Sequence, residues 1–518
     1  MAGTDDRLWL DGRIFTGREL IEAMLVEDGR VRALGSEAEV LRDRPTGAVI
    51  ERLGGRLVLP AFIDSHVHIL ESSVRFGGVD LSGVADWAAF EARLRVWTMH
   101  HPVGPVLGGG WDHERLPSPG WPSREFLDRV VPDRPALLDR ICEHVTVANS
   151  AALESAGVDR SLPDPPGGRI GRHSSGEPNG LLFDNAIRWT IPLREQWAQN
   201  HRTTIREMLG RWAGLGLAAV GAMSVRPAEW MMLEQLDRED PLPLRVRGYL
   251  RLDRWRPGAH PRPRDGEERI ALRGVKASMD GALGSRTAWL REPYDDAAGE
   301  RGLRIWEPGE LGEGLRAAAW EGFGIALHAI GDRALAQALD ALEELGHPPG
   351  SRIEHASVAP PDLRSRLARD RVTTVIQPEF RSSDWWLVQR IGRARAVECY
   401  PFRELLDSGV PVAGSSDSPV ECIDPWPALR SLLEPPRFGS APGTFSPGEA
   451  LSLYTDAGAR ALGLPHLGGL VPGGPADFLV LESPTLEFAL RSERCPMSSV
   501  WSGGRSRSLA RGPPVRSA

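Results

Sequence analysis

Two histidines separated by one residue close an apolar run, Ala61-Phe62-Ile63-Asp64-Ser65-His66-Val67-His68. On a strand, side chains alternate between faces, so His66 and His68 point to one side. Neutral imidazoles placed this way suit zinc or a similar divalent ion. The alternative is a pair of strand-end histidines satisfied by hydrogen bonds. Three more donors lie late in other apolar runs. They are His328 in Gly324-Ile325-Ala326-Leu327-His328, His355 in Arg352-Ile353-Glu354-His355, and Asp417 in Ala413-Gly414-Ser415-Ser416-Asp417. A polar side chain inside a buried strand needs a partner. Four such runs, each delivering a metal-type donor, point to a shared cation.

Lys276, in Gly274-Val275-Lys276-Ala277, is the single lysine among 62 lysines and arginines. A buried ammonium beside metal cations is repelled and costly. A neutral lysine amine can instead take up CO2 as a carbamate, an anionic oxygen ligand able to bridge two metals. Arginine stays charged and cannot do this. A chain that otherwise uses arginine is expected to keep lysine where amine chemistry is required; chance survival is the competing reading.

These donors need a scaffold that gathers several strand ends. Eight apolar runs qualify as buried strands: 57–69, 218–224, 244–252, 273–281, 324–330, 351–357, 373–380 and 409–419. Helical periodicity follows several of them, as in Asp332–Leu345 and Pro447–Leu462. Strand-then-helix repetition predicts an α/β fold, a (β/α)8 TIM-like barrel over 57–465, with its chemistry at the C-terminal mouth.

The first and second runs are about 150 residues apart, too far for one helix. Residues 70–199 are therefore expected to form an insertion after strand 1, a lid or subdomain over the mouth. Helices are expected there at Trp87–Met99, Pro122–Val130 and Asn149–Glu154. Short alternating runs with Asp11-Gly12 and Asp28-Gly29 turns fill the first segment, and a similar pattern returns near the other end. Neither end holds a core alone, so 1–56 and 466–512 are expected to form one small β-sandwich domain. Residues 505–518, rich in Arg, Pro and Ser, are expected to fray.

An apolar fraction of 41% and a charged fraction of 25% fit a globular chain rather than a disordered one. A net charge of -8 argues against a dedicated nucleic-acid binder. No run of 18 or more apolar residues suggests a membrane span, and no signal peptide is evident. Cys142, Cys399, Cys422 and Cys495 lack CxxC spacing, so reduced thiols and a cytoplasmic location are expected.

The order of these donors, HxH on the first strand, Lys on the fourth, His on the fifth and sixth and Asp on the eighth, resembles the amidohydrolase superfamily. Further segments resemble the branch that includes N-substituted formamide deformylases, the amidohydrolase family 3 type. They are Gly109-Gly110-Trp111-Asp112, His144-Val145-Thr146-Val147-Ala148-Asn149-Ser150, Asp280-Gly281-Ala282-Leu283-Gly284-Ser285-Arg286-Thr287-Ala288, His328-Ala329-Ile330-Gly331-Asp332 and Gly414-Ser415-Ser416-Asp417-Ser418-Pro419. The resemblance covers nearly the whole chain. The sequence departs from it at Pro60-Ala61-Phe62, usually Pro-Gly-Phe, and at Cys142-Glu143-His144, usually Gly-His.

The resemblance implies a metal-dependent hydrolase of carbon–nitrogen bonds other than peptide bonds, acting on a linear amide such as an N-formyl or N-acyl amine. It implies one divalent metal, zinc by preference, on His66, His68, Lys276 and Asp417. A second would sit on Lys276, His328 and His355, bridged by carboxylated Lys276. Asp417 would be general base and then general acid. A single-metal site with unmodified Lys276 stays open. So do cyclic amide opening, ester cleavage, deamination, and a catalytically silent binding protein on the same fold.

Around this centre, His144 is expected as a catalytic group bonding the substrate carbonyl, or as a scaffold histidine. Trp111, Asp280 and Arg286 are expected at the substrate: Trp111 as a pocket wall or lid anchor, Arg286 as a carboxylate clamp or a loop-pinning residue. Trp385, Trp386 and Trp426 suggest an aromatic pocket, although core packing would also explain them. The expected partner is a small molecule, with a homodimer compatible and neither nucleic acid nor membrane expected.

Overall fold

The computed structural model describes residues 6–118, 120–263, 266, 268–438, 443–492 and 495–510. Eight parallel strands form its centre: Phe62–Val67, Leu217–Val225, Arg245–Arg251, Ile270–Ser278, Gly324–Ala329, Arg352–His355, Thr373–Ile376 and Val412–Gly414. Each pairs with its neighbour in chain order. The first and eighth approach at a seam bridged by Val67 and Ser418, where His68 N–H donates to the Ser418 carbonyl at 2.8 Å. The sheet is thus a nearly closed (β/α)8 barrel, and every strand falls on one of the eight apolar runs. Near-continuous burial along these strands reflects a parallel sheet covered on both faces.

Three details differ from the sequence reading. The third strand-to-strand connection carries no helix among the described residues; Pro257, Gly258, Pro261 and Pro263 deny a helix its donors and its φ/ψ. The run at 57–69 is two strands in two sheets, Leu57–Pro60 and Phe62–Val67. Similarly, Pro447–Leu462 divides into helices Pro447–Leu453 and Asp456–Ala461.

The segment after the first strand begins with helix Ile69–Gly77 and then builds a six-stranded mixed sheet. Its central strands are Val106–Trp111, Ala136–Arg140, Val145–Ala148 and Pro178–Asp184. A separate apolar cluster, including Phe90, Leu94, Trp111, Leu127 and Leu138, gives it a core of its own.

The chain ends supply two sheets, one of four strands and one of six. Trp9 meets Phe478 and Trp501 edge-on, with centroids 5.2 and 4.7 Å away. Such pairs add about 0.5–1.5 kcal/mol each beyond area burial. The expected fraying is corrected at its start: Arg505–Arg507 is a strand paired with Met497–Ser502, and Ala510 N–H reaches the Gly214 carbonyl at 3.0 Å. Residues 511–518 lie outside the described residues. Among the described residues no helix is long and apolar enough to cross a membrane, and Cys142, Cys399, Cys422 and Cys495 are free thiols.

Candidate metal centre

The C-terminal ends of the barrel strands bring the donors together. His66 Nε2 lies 3.3 Å from His68 Nε2, and Asp417 Oδ1 lies 3.1 and 3.2 Å from the two. His66, His355 and Asp417 each offer a donor atom within 4.8 Å of the others. The His355 ring is 5.1 Å from that of His66 and 4.5 Å from that of His328. Lys276 and His328 line the same cavity with His68, His355 and Asp417.

The partners of the remaining ring nitrogens set the tautomers. Glu354 Oε2 accepts from His66 Nδ1 at 2.7 Å, and Gln377 Oε1 accepts from His355 Nδ1 at 2.8 Å. The Gly281 carbonyl accepts from His328 Nε2 at 3.1 Å. Each hydrogen bond leaves the opposite nitrogen with a free lone pair. Burial, with the neighbouring imidazoles next, holds His328 and His355 well below the ordinary histidine range, so both are neutral.

His66 Nε2 therefore presents a lone pair to the carboxylate of Asp417, whose buried Oδ1 has no hydrogen-bond partner. Acceptors turned toward one another in a dry site repel unless a cation lies among them. The donor set, imidazoles and a carboxylate, fits a divalent ion of the zinc class.

The backbone contributes too. His355 and Asp417 adopt φ of +74° and +56°, left-handed values that cost about 1–3 kcal/mol at a non-glycine residue. At His355 this turn brings the ring toward the mouth although Glu354, its neighbour, already points inward. Asp64 pins the seam, accepting from His66 N–H at 3.1 Å and Ser416 N–H at 3.0 Å. Arg352 donates to Glu354 from Nε at 2.5 Å and Nη2 at 2.8 Å, and to the Ser65 carbonyl at 2.8 Å. Burial opposes the Glu354 charge, but Arg352 and His66 hold this carboxyl well below the carboxylate range.

Lys276 is 3% exposed, and burial pushes its amine down to about 8, with Glu354 and Asp417 opposing and Arg352 and Arg251 assisting. His144 also lines the cavity. Its Nδ1 donates to Asp184 Oδ1 at 2.7 Å, leaving Nε2 for other partners. Burial works against its charge, yet the Asp184 bond and charge, helped by Asp417 and Asp280, raise its pKa. Gly281 permits this arrangement: a Cβ there would lie 1.9 Å from Thr287 Oγ1 and 2.5 Å from Asp184 Oδ1.

Placement decides between the two roles expected for Trp111 and for Arg286, and removes Asp280 from the substrate. Trp111 is fully buried in the insertion's own core, its indole N–H bonded to the Leu138 carbonyl at 2.9 Å, so it anchors that domain and is no pocket wall. Asp280 is fully buried and accepts the backbone N–H groups of Trp289, Ile330 and Gly331 at 2.8–3.1 Å. It is spent on shaping the loops beside His328. Arg286 is neutralised by Asp296 at 3.1 and 2.8 Å and lies outside the cavity lining. Trp385, Trp386 and Trp426 are also absent from the lining; Trp426 packs edge-on to Phe62 at 5.4 Å.

The cavity, about 410 Å³, is instead lined by a mixture of charged and apolar side chains. Its wall carries Glu71 against Arg226 at 3.1 Å and Asp139 against Arg194 at 2.6 Å. These wall residues and Glu354, Gln377 and Asp184 escaped the sequence reading. For Glu354 a signal was present, a carboxylate inside the buried run Arg352–His355.

Comparison with known proteins agrees with this geometry. Residues 52–506 match the amidohydrolase family. The putative amidohydrolase YtcJ of Bacillus subtilis is 31% identical over 92% of this chain and 94% of its own. The N-substituted formamide deformylase of Arthrobacter pascens is 27% identical over 90% and 91%. The solved structure of an uncharacterized metal-dependent hydrolase from Pyrococcus furiosus superposes with a TM-score of 0.75. It is 31% identical and covers 92% of this chain and 99% of that one. A match of that extent, over a barrel whose strand ends carry these donors, makes this chain a member of the amidohydrolase family.

Proposed function

We propose that this protein hydrolyses carbon–nitrogen bonds of small linear amides, N-formyl or N-acyl amines, using two divalent metals, zinc first among them. One would be held by His66, His68, Lys276 and Asp417, the other by Lys276, His328 and His355, with Lys276 as a bridging carbamate. The observation that carries this reading is the convergence of His66 Nε2, His68 Nε2 and Asp417 Oδ1 within 3.1–3.3 Å, beside a cavity that His68 and Asp417 line. Similarity to a formamide deformylase supports the choice of amide.

When bound, the metals would lower the pKa of a water and polarise the substrate carbonyl. The protein's own groups do the rest. Asp417 takes the proton of the attacking water and returns it to the leaving amine nitrogen. His144, with Nδ1 committed to Asp184, donates from Nε2 to the carbonyl oxygen as negative charge develops there. Glu354 and Gln377 hold the His66 and His355 rings in orientation. A cavity of about 410 Å³ suits a small-molecule substrate. We place the enzyme in the cytoplasm, with a homodimer as its compatible assembly.

Metal analysis of protein grown with zinc, combined with turnover of an N-formyl and N-acyl amine panel, tests the proposal. Two metals per chain and release of amine from panel members are expected. Less than one metal per chain with no turnover refutes it. Faster opening of cyclic amides or cleavage of esters would refute the linear-amide assignment.

A further inference from the structure

Four arginines line the cavity, and three face a carboxylate: Arg194 on Asp139, Arg226 on Glu71 and Arg251 on Asp253 at 3.0 Å. The fourth, Arg188, meets no carboxylate among the described residues. Its guanidinium carbon lies 4.8 Å over the face of the Trp189 ring. That contact holds the side chain without neutralising it.

The wall that presents Arg188 is firmly built. It belongs to the 3-10 helix Asn185–Thr190, directly after Asp184, the partner of His144. Asn185 fastens the start of that helix through Nδ2–H to the Pro166 carbonyl at 2.8 Å, and Thr190 closes its end on the Ile187 carbonyl at 2.8 Å. One rigid turn therefore carries the orienter of His144 and an uncompensated cation into the same cavity as the metal donors.

We propose that Arg188 is the specificity-determining residue for an anionic oxygen group at the far end of the substrate. The preferred amides would carry a carboxylate on the amine portion. A planar, singly charged carboxylate matches the guanidinium fork. A phosphate dianion would bring a second negative charge into a cavity where the other lining arginines are already paired. Arg286, the clamp suggested by sequence, cannot serve because Asp296 occupies it.

This inference rests on the amide-hydrolase reading, so its test separates the two. Zinc-loaded full-length enzyme is assayed with N-formylglycine, N-formyl-β-alanine and N-formyl-4-aminobutyrate, each against its methyl ester. At the best length, kcat/KM for the acid should exceed that for the ester by about 10- to 100-fold, the range of one charge-assisted pair. Arg188→Gln should bring this ratio close to one, and Arg188→Lys should keep part of it.

Calorimetric binding of the same acids and esters to metal-free protein is measured in parallel. An acid preference in Kd that vanishes in Arg188→Gln supports the carboxylate site even if no amide is turned over. Equal Kd for acid and ester, or a preference unchanged in Arg188→Gln, overturns it. Displacement of the acid by acetate more readily than by inorganic phosphate supports the carboxylate assignment; the reverse order overturns it.

Discussion

Glu354 stands directly behind His66, its Oε2 accepting the Nδ1–H at 2.7 Å, with Arg352 gripping the same carboxylate from the other side. All three side chains are almost completely removed from solvent. The carboxylate thus fixes which nitrogen of His66 faces the metal site and neutralises a buried guanidinium. Glu354→Gln should weaken metal binding about 10- to 100-fold, the usual effect of losing a ligand's supporting partner. Competition against a chromogenic chelator measures this. Leaving Arg352 unpaired should also destabilise the metal-free protein by about 3–5 kcal/mol, seen in chemical denaturation.

Lys276→Arg should abolish binuclear occupancy, because a guanidinium cannot form a carbamate. Lys276→Ala supplied with a short carboxylic acid should regain part of it. Elemental analysis after desalting reads both outcomes. A wild-type metal content in Lys276→Arg would refute the carbamate.

Asp417→Asn keeps the shape of the side chain and removes its capacity to carry a proton. Turnover should fall by about 10²–10⁴-fold, the range for a general acid–base group, with a far smaller change in KM. Metal content measured on the same sample separates loss of proton transfer from loss of metal.

The pH profile should report the His144–Asp184 pair. The imidazolium is the form that donates from Nε2, and Asp184 favours it, so its pKa stands above the ordinary histidine value. The protonated donor is complete below that raised pKa and is lost as pH rises through it. Asp184→Asn removes the favouring charge and should move the alkaline limb of kcat/KM to lower pH. His144→Gln should erase that limb. A limb unmoved in both variants would exclude His144 as the donor.

Much of this centre was legible because strand chemistry is repetitive. Period two set His66 and His68 on one face, and eight apolar runs marked the barrel strands. Period two also explains a gap: alternation allows Glu354 or His355 to point inward, not both. The left-handed backbone at His355 that reconciles them leaves no sequence mark. For a related reason Asp280 was expected at the substrate and the role of Arg286 stayed open. Gly-rich loops show where the chain turns, not which way a side chain faces. Arg188 and Asp184 sit in the insertion, and only the folded barrel brings them to the cavity that His328 and Lys276 line.

The junction at Ala61 gives the molecule a mechanical character. Leu57–Pro60 lies between Phe478–Leu481 and Arg13–Phe15 in the terminal sheet. One residue later the same extended chain is the strand that carries His66 and leads into His68. Ala61 N–H is tied to the Asp477 carbonyl at 3.0 Å, and Asp477 is itself clamped by Arg245 of the third barrel strand at 2.6 Å. The terminal domain is thus the foundation in which the strand with the candidate metal donors is set. Only Ala61 separates the sheet built on Trp9, Phe478 and Trp501 from the strand that carries His66, so loosening that footing is expected to weaken metal binding.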